Sequence, residues 1–234
     1  MDQYSYTYDE AGNQLSKYEV IGGSEKGATA YAYDELNRLL SVTEPDGRVN
    51  SYLYDSIGNR TKEAIENGAD ITENNYSYND QNCLTSITSR VNNEIIKITG
   101  YIYDSNGNQT TTIVENYEDG ELISTVNAAT NTYDYHNQLI KIVTEDGTVI
   151  QNSYNADGFR TEKEVNGETT YYLYEGNELI LEVDEAKNQI ARNVYGTNLL
   201  KRTVEAESYY YLYNGHADVT ALIENDGTIL AVRQ

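Results

Sequence analysis

The residues that could do chemistry are carboxylates in a row. An aspartate follows a Tyr-x-Tyr pair at Asp9, Asp34, Asp55 and Asp104, and again after Tyr133 at Asp134. Paired carboxylates can serve as general acid and nucleophile in glycoside hydrolysis, provided the fold sets the right gap between them. No acidic pair here stands out from its repeated background. A residue placed in every unit is better suited to building that unit, since Asp at a turn start bonds its own backbone two residues on. The other reactive groups are few. His136 and His216 are the only histidines and Cys83 the only cysteine. That is short of a zinc ligand set and forbids an internal disulfide. The Asp-x-Asp-x-Asp-Gly calcium loop is absent, as is the Gly-Gly-x-Gly-x-Asp nonapeptide. Gly22-Gly23-Ser24 lacks the strand–helix frame of a phosphate cradle. These residues point to no catalytic constellation, no cofactor and no metal, so no enzyme is expected.

The carboxylates belong to a motif that runs from end to end. It is carried by Tyr6, Tyr8, Asp9 and Gly12; by Tyr31, Tyr33, Asp34 and Asn37; and by Tyr52, Tyr54, Asp55 and Gly58. It continues at Tyr76 and Tyr78, at Tyr101, Tyr103, Asp104 and Gly107, at Tyr133 and Asp134, and at Tyr154 and Gly158. Looser copies hold Tyr172 and Tyr174, Tyr195, and Tyr211 and Tyr213. About ten copies follow one another at intervals of 18 to 30 residues, the regularity of a repeat protein. Among the first seven, Gly12, Gly58, Gly107 and Gly158 alternate with Asn37, Asn82 and Asn137. Gly and Asn both tolerate positive φ, so a tight turn is expected just after each Tyr-x-Tyr-Asp strand.

Tyr-x-Tyr puts two rings on one strand face, because side chains alternate with period two. Between motifs, β-rich runs flank Glu44-Pro45-Asp46-Gly47, Glu145-Asp146-Gly147, Asn166-Gly167 and Asn225-Asp226-Gly227. Asn-Gly and Asp-Gly in that setting are hairpin signals. Only Asp184 to Gln189 leaves room for a single helical turn. The expected fold is all-β: about twenty short strands in tandem antiparallel hairpins, forming a curved or spiralling strip over a single domain, 1–234. Tyrosines of neighbouring repeats are expected to stack on one another.

Of 234 residues, 16 are basic and 38 acidic, a formal net charge of −22. That argues against binding nucleic acid through its phosphates and against docking on anionic lipid. No apolar run is long enough to span a membrane, so no insertion is expected. The opening Met1 to Tyr6 lacks a basic region followed by an apolar one, so no signal peptide is expected. Acidic side chains also keep an exposed hairpin edge from pairing with another.

Tyr52-Leu-Tyr54-Asp55-Ser-Ile-Gly58-Asn59-Arg60 and Tyr31-Ala-Tyr33-Asp34-Glu-Leu-Asn37-Arg38-Leu39 resemble the signatures of the YD-repeat, or RHS-repeat, family. Residues 209–230, from Tyr209-Tyr-Tyr-Leu-Tyr213-Asn-Gly215-His216 through Asp226-Gly227-Thr228, resemble the RHS-associated core at the end of such repeats. The family includes bacterial polymorphic toxins, wall-associated proteins, toxin-complex shells and teneurins. The resemblance implies a hairpin strip wound into a shell that encapsulates or displays a C-terminal effector, and an extracellular or cell-surface, secreted bacterial protein. The family's cleavage motif and toxin domain do not occur in this sequence, so a C-terminal slice of a larger repeat region, or a naturally short or engineered strip, is expected. Its partners would be the rest of the parent shell, the effector, and a second copy through edge-to-edge pairing. The rival reading is a glycan- or cell-surface-binding module gripping through exposed tyrosines such as Tyr54 and Tyr103.

Overall fold

The computed structural model describes residues 3–232; Met1 and Asp2, which open the sequence, and Arg233 and Gln234 lie outside that range. The described residues form 21 β-strands and no helix. They divide into two compact units on either side of the boundary between Ala129 and Thr130.

The first unit is a ten-strand antiparallel meander. Its strands are β1 (Gln3–Tyr8), β2 (Gln14–Ile21), β3 (Ser24–Tyr33), β4 (Leu39–Thr43), β5 (Val49–Tyr54), β6 (Arg60–Asn67), β7 (Asp70–Tyr78), β8 (Leu84–Val91), β9 (Glu94–Tyr103) and β10 (Gln109–Glu118). Each pairs with the strand before and after it in sequence. Strand β11 (Glu121–Tyr133) carries the chain into the second unit. That unit repeats the plan with β12 (Leu139–Thr144), β13 (Val149–Tyr154), β14 (Arg160–Val165), β15 (Glu168–Glu175), β16 (Glu178–Val183), β17 (Gln189–Tyr195), β18 (Leu199–Val204), β19 (Glu207–Tyr213), β20 (Val219–Glu224) and β21 (Ile229–Val232). Pairing is again antiparallel and sequential from β12 to β21.

Within each unit, the turns after the tyrosine pairs fall on one edge of the meander and the intervening turns on the other. Both edges reuse one device. In the motif turn at Asp55, the Asp55 N–H donates to the Asn59 carbonyl at 2.9 Å and the Gly58 N–H returns to the Asp55 carbonyl at 3.3 Å. Gly58 takes φ +99°. This is a type I turn closed by a left-handed residue, a standard three-residue hairpin loop. On the opposite edge Glu44, Thr144 and Glu224 build the same loop with Gly47, Gly147 and Gly227 at the left-handed position. Tighter two-residue loops such as Asn166-Gly167 (φ +52° and +95°) fill other places.

Asp184 to Gln189 makes no helical turn. Asp184 N–H bonds the Asn188 carbonyl, Lys187 N–H bonds Asp184, and Lys187 sits at φ +66°. The same hairpin loop therefore forms, with a lysine at the left-handed position because Asp184 and Asn188 supply the side-chain bonds that hold it.

The core is thin, as single-layer sheets require. Val42, Ala64, Val183, Ala191 and Ala221 are the buried apolar residues among those described. Leucines such as Leu53 (56% exposed) and Leu173 (47%) remain open to solvent. A meander of this kind gains its stability from each hairpin lying against the next.

Candidate functional site

The motif residues gather on one sheet face and its adjoining edge. Every paired motif tyrosine is half-buried except Tyr8, which is exposed; the residue between each pair, from Thr7 and Ala32 to Leu173 and Leu212, is exposed on the opposite face. Period-two alternation accounts for this.

Seven of the second tyrosines reach back to the preceding repeat. The Tyr33 hydroxyl donates to the Gln14 carbonyl at 3.0 Å, Tyr54 to Leu39 at 2.9 Å, Tyr78 to Arg60 at 2.9 Å and Tyr103 to Leu84 at 2.7 Å. In the second unit Tyr154 donates to Leu139 at 2.9 Å, Tyr174 to Arg160 at 3.1 Å and Tyr213 to Leu199 at 2.6 Å. All seven acceptors are the first residue of the strand that follows the previous motif turn. That carbonyl lies beside a bulge, where the ladder register shifts. The tyrosine therefore satisfies an acceptor that the sheet leaves under-used, which explains why this position favours Tyr over Phe.

Contact between repeats was expected as ring on ring. Phe159 and Tyr174 do stack, with centroids 5.0 Å apart. The recurring contacts are instead the hydroxyl bonds and arginines laid over rings: Arg38 over Tyr54 at 4.8 Å, Arg60 over Tyr76 at 4.9 Å and over Tyr52 at 5.6 Å, and Arg160 over Tyr172 at 4.8 Å. Strand spacing leaves a residue's width between successive motif tyrosines, and at three of the turns the arginine that follows fills it.

The row of aspartates is absorbed by its own turns. Asp55 Oδ1 accepts from the backbone N–H of Ile57 at 3.0 Å and of Asn59 at 2.8 Å, and Oδ2 accepts from Asn59 Nδ2 at 3.0 Å. Asp104 repeats this with Asn106 and Asn108, and Asp9 with Asn13. Asp34 substitutes the Arg38 guanidinium, Nε to Oδ2 at 2.6 Å. Asp134 accepts from His136 and Gln138 N–H. The side-chain bond from Asn108, then its backbone N–H, holds Asp104 below the ordinary 3.8, and the Asn13 side chain does the same for Asp9. For Asp34 the Arg38 backbone N–H leads. Desolvation alone would raise Asp55, but its bonds from Asn59 and Ile57 outweigh it. Carboxylates so bonded are fixed anions, unsuited to taking up a proton near neutrality.

One polar network crosses repeats on the tyrosine face. Tyr76 donates to Glu63 Oε2 at 2.9 Å, Asn74 Nδ2 approaches the same oxygen at 3.3 Å, and Arg60 stands 3.6 Å from Oε1. Ser89 continues it, donating to Asn74 at 2.7 Å. Desolvation first, and then the bond to Glu63 and its charge, push the Tyr76 hydroxyl up to about 12. Desolvation likewise raises Tyr33, Tyr52, Tyr101, Tyr103 and Tyr172. Arg60 of the network is visible in the sequence as the end of the Gly58-Asn59-Arg60 motif; Glu63, Asn74 and Ser89 carry no signal of their own. His136 and His216 are exposed on two separate motif turns, and Cys83 is half-buried in a third. Among the described residues no group of three or more His, Cys, Asp or Glu could hold a metal ion.

The model of the RHS Repeat family matches residues 24–49 and 33–70. Two curated relatives are each 35% identical over 209 residues, 86% of this chain: the tRNA3(Ser)-specific nuclease WapA of Bacillus spizizenii and the tRNA nuclease WapA of Bacillus subtilis. The chain belongs to the RHS-repeat family. Its 209 matched residues span 8% of the length of those relatives. Among solved structures, that titled TcdB2-TccC3-Cdc42 matches 93% of the RHS chain at 15% identity with a TM-score of 0.52, over 15% of its own length. At that identity the likeness speaks for the fold, and it agrees with tandem antiparallel hairpins.

Proposed function

We propose that this chain is a structural segment in the wall of a larger RHS protein, one that encapsulates or displays an effector domain outside the cell or at its surface. The observation that carries this reading is the tyrosine ladder. The motif's most distinctive groups, the second tyrosine and the aspartate, are spent on holding one repeat to the next and on closing turns. The nuclease activity in the relatives' names is a property of proteins of which this chain spans 8%, and we assign none of it to the repeats. The glycan-binding reading has less support: Tyr54 and Tyr103 are half-buried and their hydroxyl donors are engaged. The single domain 1–234 and the core-like end at 209–230 remain part of the proposal.

The test is a graft. The matching 209 residues of Bacillus subtilis WapA are replaced by this chain. A wall segment should leave the chimera folded and its tRNA nuclease activity undiminished. This chain alone should leave tRNA intact. Cleavage of tRNA by the isolated chain, abolished by one carboxylate substitution, would sink the proposal.

A further inference from the structure

Cations on the tyrosine face are held against the chain's own carboxylates, as Lys17 is against Glu19 at 3.0 Å, and two further places set a common frame. In β6, Arg60 lies over Tyr76 and pairs with Glu63 at 3.6 Å. In β18, Arg202 pairs with Glu182 at 2.7 Å and donates to Asn193 Oδ1 at 3.0 Å, while Asn193 Nδ2 donates to the Leu179 carbonyl.

Strand β14 occupies the same frame with the carboxylates missing. Arg160 opposes Tyr154 as Arg60 opposes Tyr54, and it lies over Tyr172 at 4.8 Å. The order Arg60-Thr-Lys62-Glu63 becomes Arg160-Thr-Glu162-Lys163, so Glu63's place on this face is taken by Lys163. Asn152 opposes Lys163 as Asn193 opposes Arg202, and its Nδ2 likewise donates to a carbonyl, that of Leu139. Ile142 pairs with Ile150 where Glu182 pairs with Ala191, so the second carboxylate is replaced as well. Among the described residues neither Arg160 nor Lys163 forms an ion pair. Arg160 Nε and Asn152 Oδ1 are buried with no hydrogen-bond partner. Glu182, two strands away, is already held by Arg202.

We propose that Arg160 and Lys163 form a docking point for a carboxylate brought by another polypeptide segment lying on the tyrosine face. The class of ligand follows from the two filled places, where the chain's own carboxylate does this work. The net charge of −22 repels anions at long range, but at physiological salt the Debye length is about 8 Å and the two adjacent cations dominate. The inference stands whether or not the chain encloses an effector.

The test uses the full chain and tetraglutamate as probe, with inorganic phosphate at matched ionic strength beside it. Binding is followed by calorimetry and by the melting temperature. Tetraglutamate should bind saturably and raise the melting temperature, and phosphate should do neither. Lys163→Glu, which restores the Arg60–Glu63 arrangement, should weaken binding at least tenfold and raise the melting temperature of the probe-free protein. Ile142→Glu, built on the Arg202–Glu182 arrangement, should do the same; Lys26→Glu, with the same charge change in the other unit, should leave binding intact. Far-UV circular dichroism checks that each variant folds. The proposal fails if the native chain shows no saturable binding, if Lys163→Glu binds as the native chain does, or if phosphate binds equally well.

Discussion

Replacing Tyr103 with Phe removes one oxygen and leaves the ring. The lost bond to the Leu84 carbonyl is 2.7 Å long, at a half-buried site between two repeats. A neutral hydrogen bond contributes about 0.5–1.5 kcal/mol net, and an acceptor left partly desolvated adds to the loss, so about 1–2 kcal/mol is expected. For a chain of this size that lowers the melting temperature by about 2–8 °C. Tyr54→Phe breaks the equivalent bond to Leu39. Strands β5 and β9 are four strand spacings apart, roughly 19 Å. That exceeds the roughly 10 Å within which substitutions couple, so the double variant should lose the sum. Tyr135→Phe is the control, because Tyr135 is fully exposed at 105%. Urea unfolding followed by far-UV circular dichroism gives the midpoints, and hydrogen exchange with mass spectrometry locates the loosened strands at β8 and β9. If Tyr103→Phe proves no more costly than Tyr135→Phe, the hydroxyl ladder does not hold the repeats together.

Gly58 sits at φ +99° in open space, so Gly58→Ala should cost about 1 kcal/mol from backbone strain alone, whereas Gly100→Ala, at an ordinary φ with equal room, should be neutral within about 0.5 kcal/mol; a melting-temperature comparison decides. Asp9, Asp34, Asp55 and Asp104 are held below 3.8 in the folded state, so their stabilisation is present above that value and is lost as pH falls through the lowered folded values. Thermal scans from pH 6 to pH 2.5 should show this decline, and a flat profile would contradict it. At the other end, Tyr76 is raised from 10 to about 12, so its contribution is present below pH 10 and disappears as pH rises through about 12. Glu63→Gln removes the nearby charge and should make Tyr76 titrate earlier by tyrosinate absorbance; an unchanged curve would exclude the contact.

The repeat, the strands and most turns were legible in the sequence for physical reasons. Tyr-x-Tyr can only be one-sided on a strand, and the left-handed position after each Asp admits few residues, so Gly12, Asn37, Gly58 and Asn82 announce themselves. The Asp184 loop was hidden because Lys187 gives no such sign. The side-chain bonds that lock it are indistinguishable in sequence from those of a first helical turn. The destinations of the tyrosine hydroxyls were hidden too. They depend on the bulge beside each motif turn, which frees one carbonyl and is set by strand register. The exchange of Glu63 for Lys163 can be read in the letters, but its meaning depends on which face each strand presents.

The central claim is that the motif tyrosines bind repeat to repeat. Their hydroxyl protons test it most directly, observed by nuclear magnetic resonance in the intact chain. Those of Tyr33, Tyr54, Tyr78, Tyr103, Tyr154, Tyr174 and Tyr213 should exchange slowly with water. Each should also show a through-space contact to the first residue of the strand it reaches. Seven hydroxyls exchanging as fast as that of Tyr135 would contradict the account.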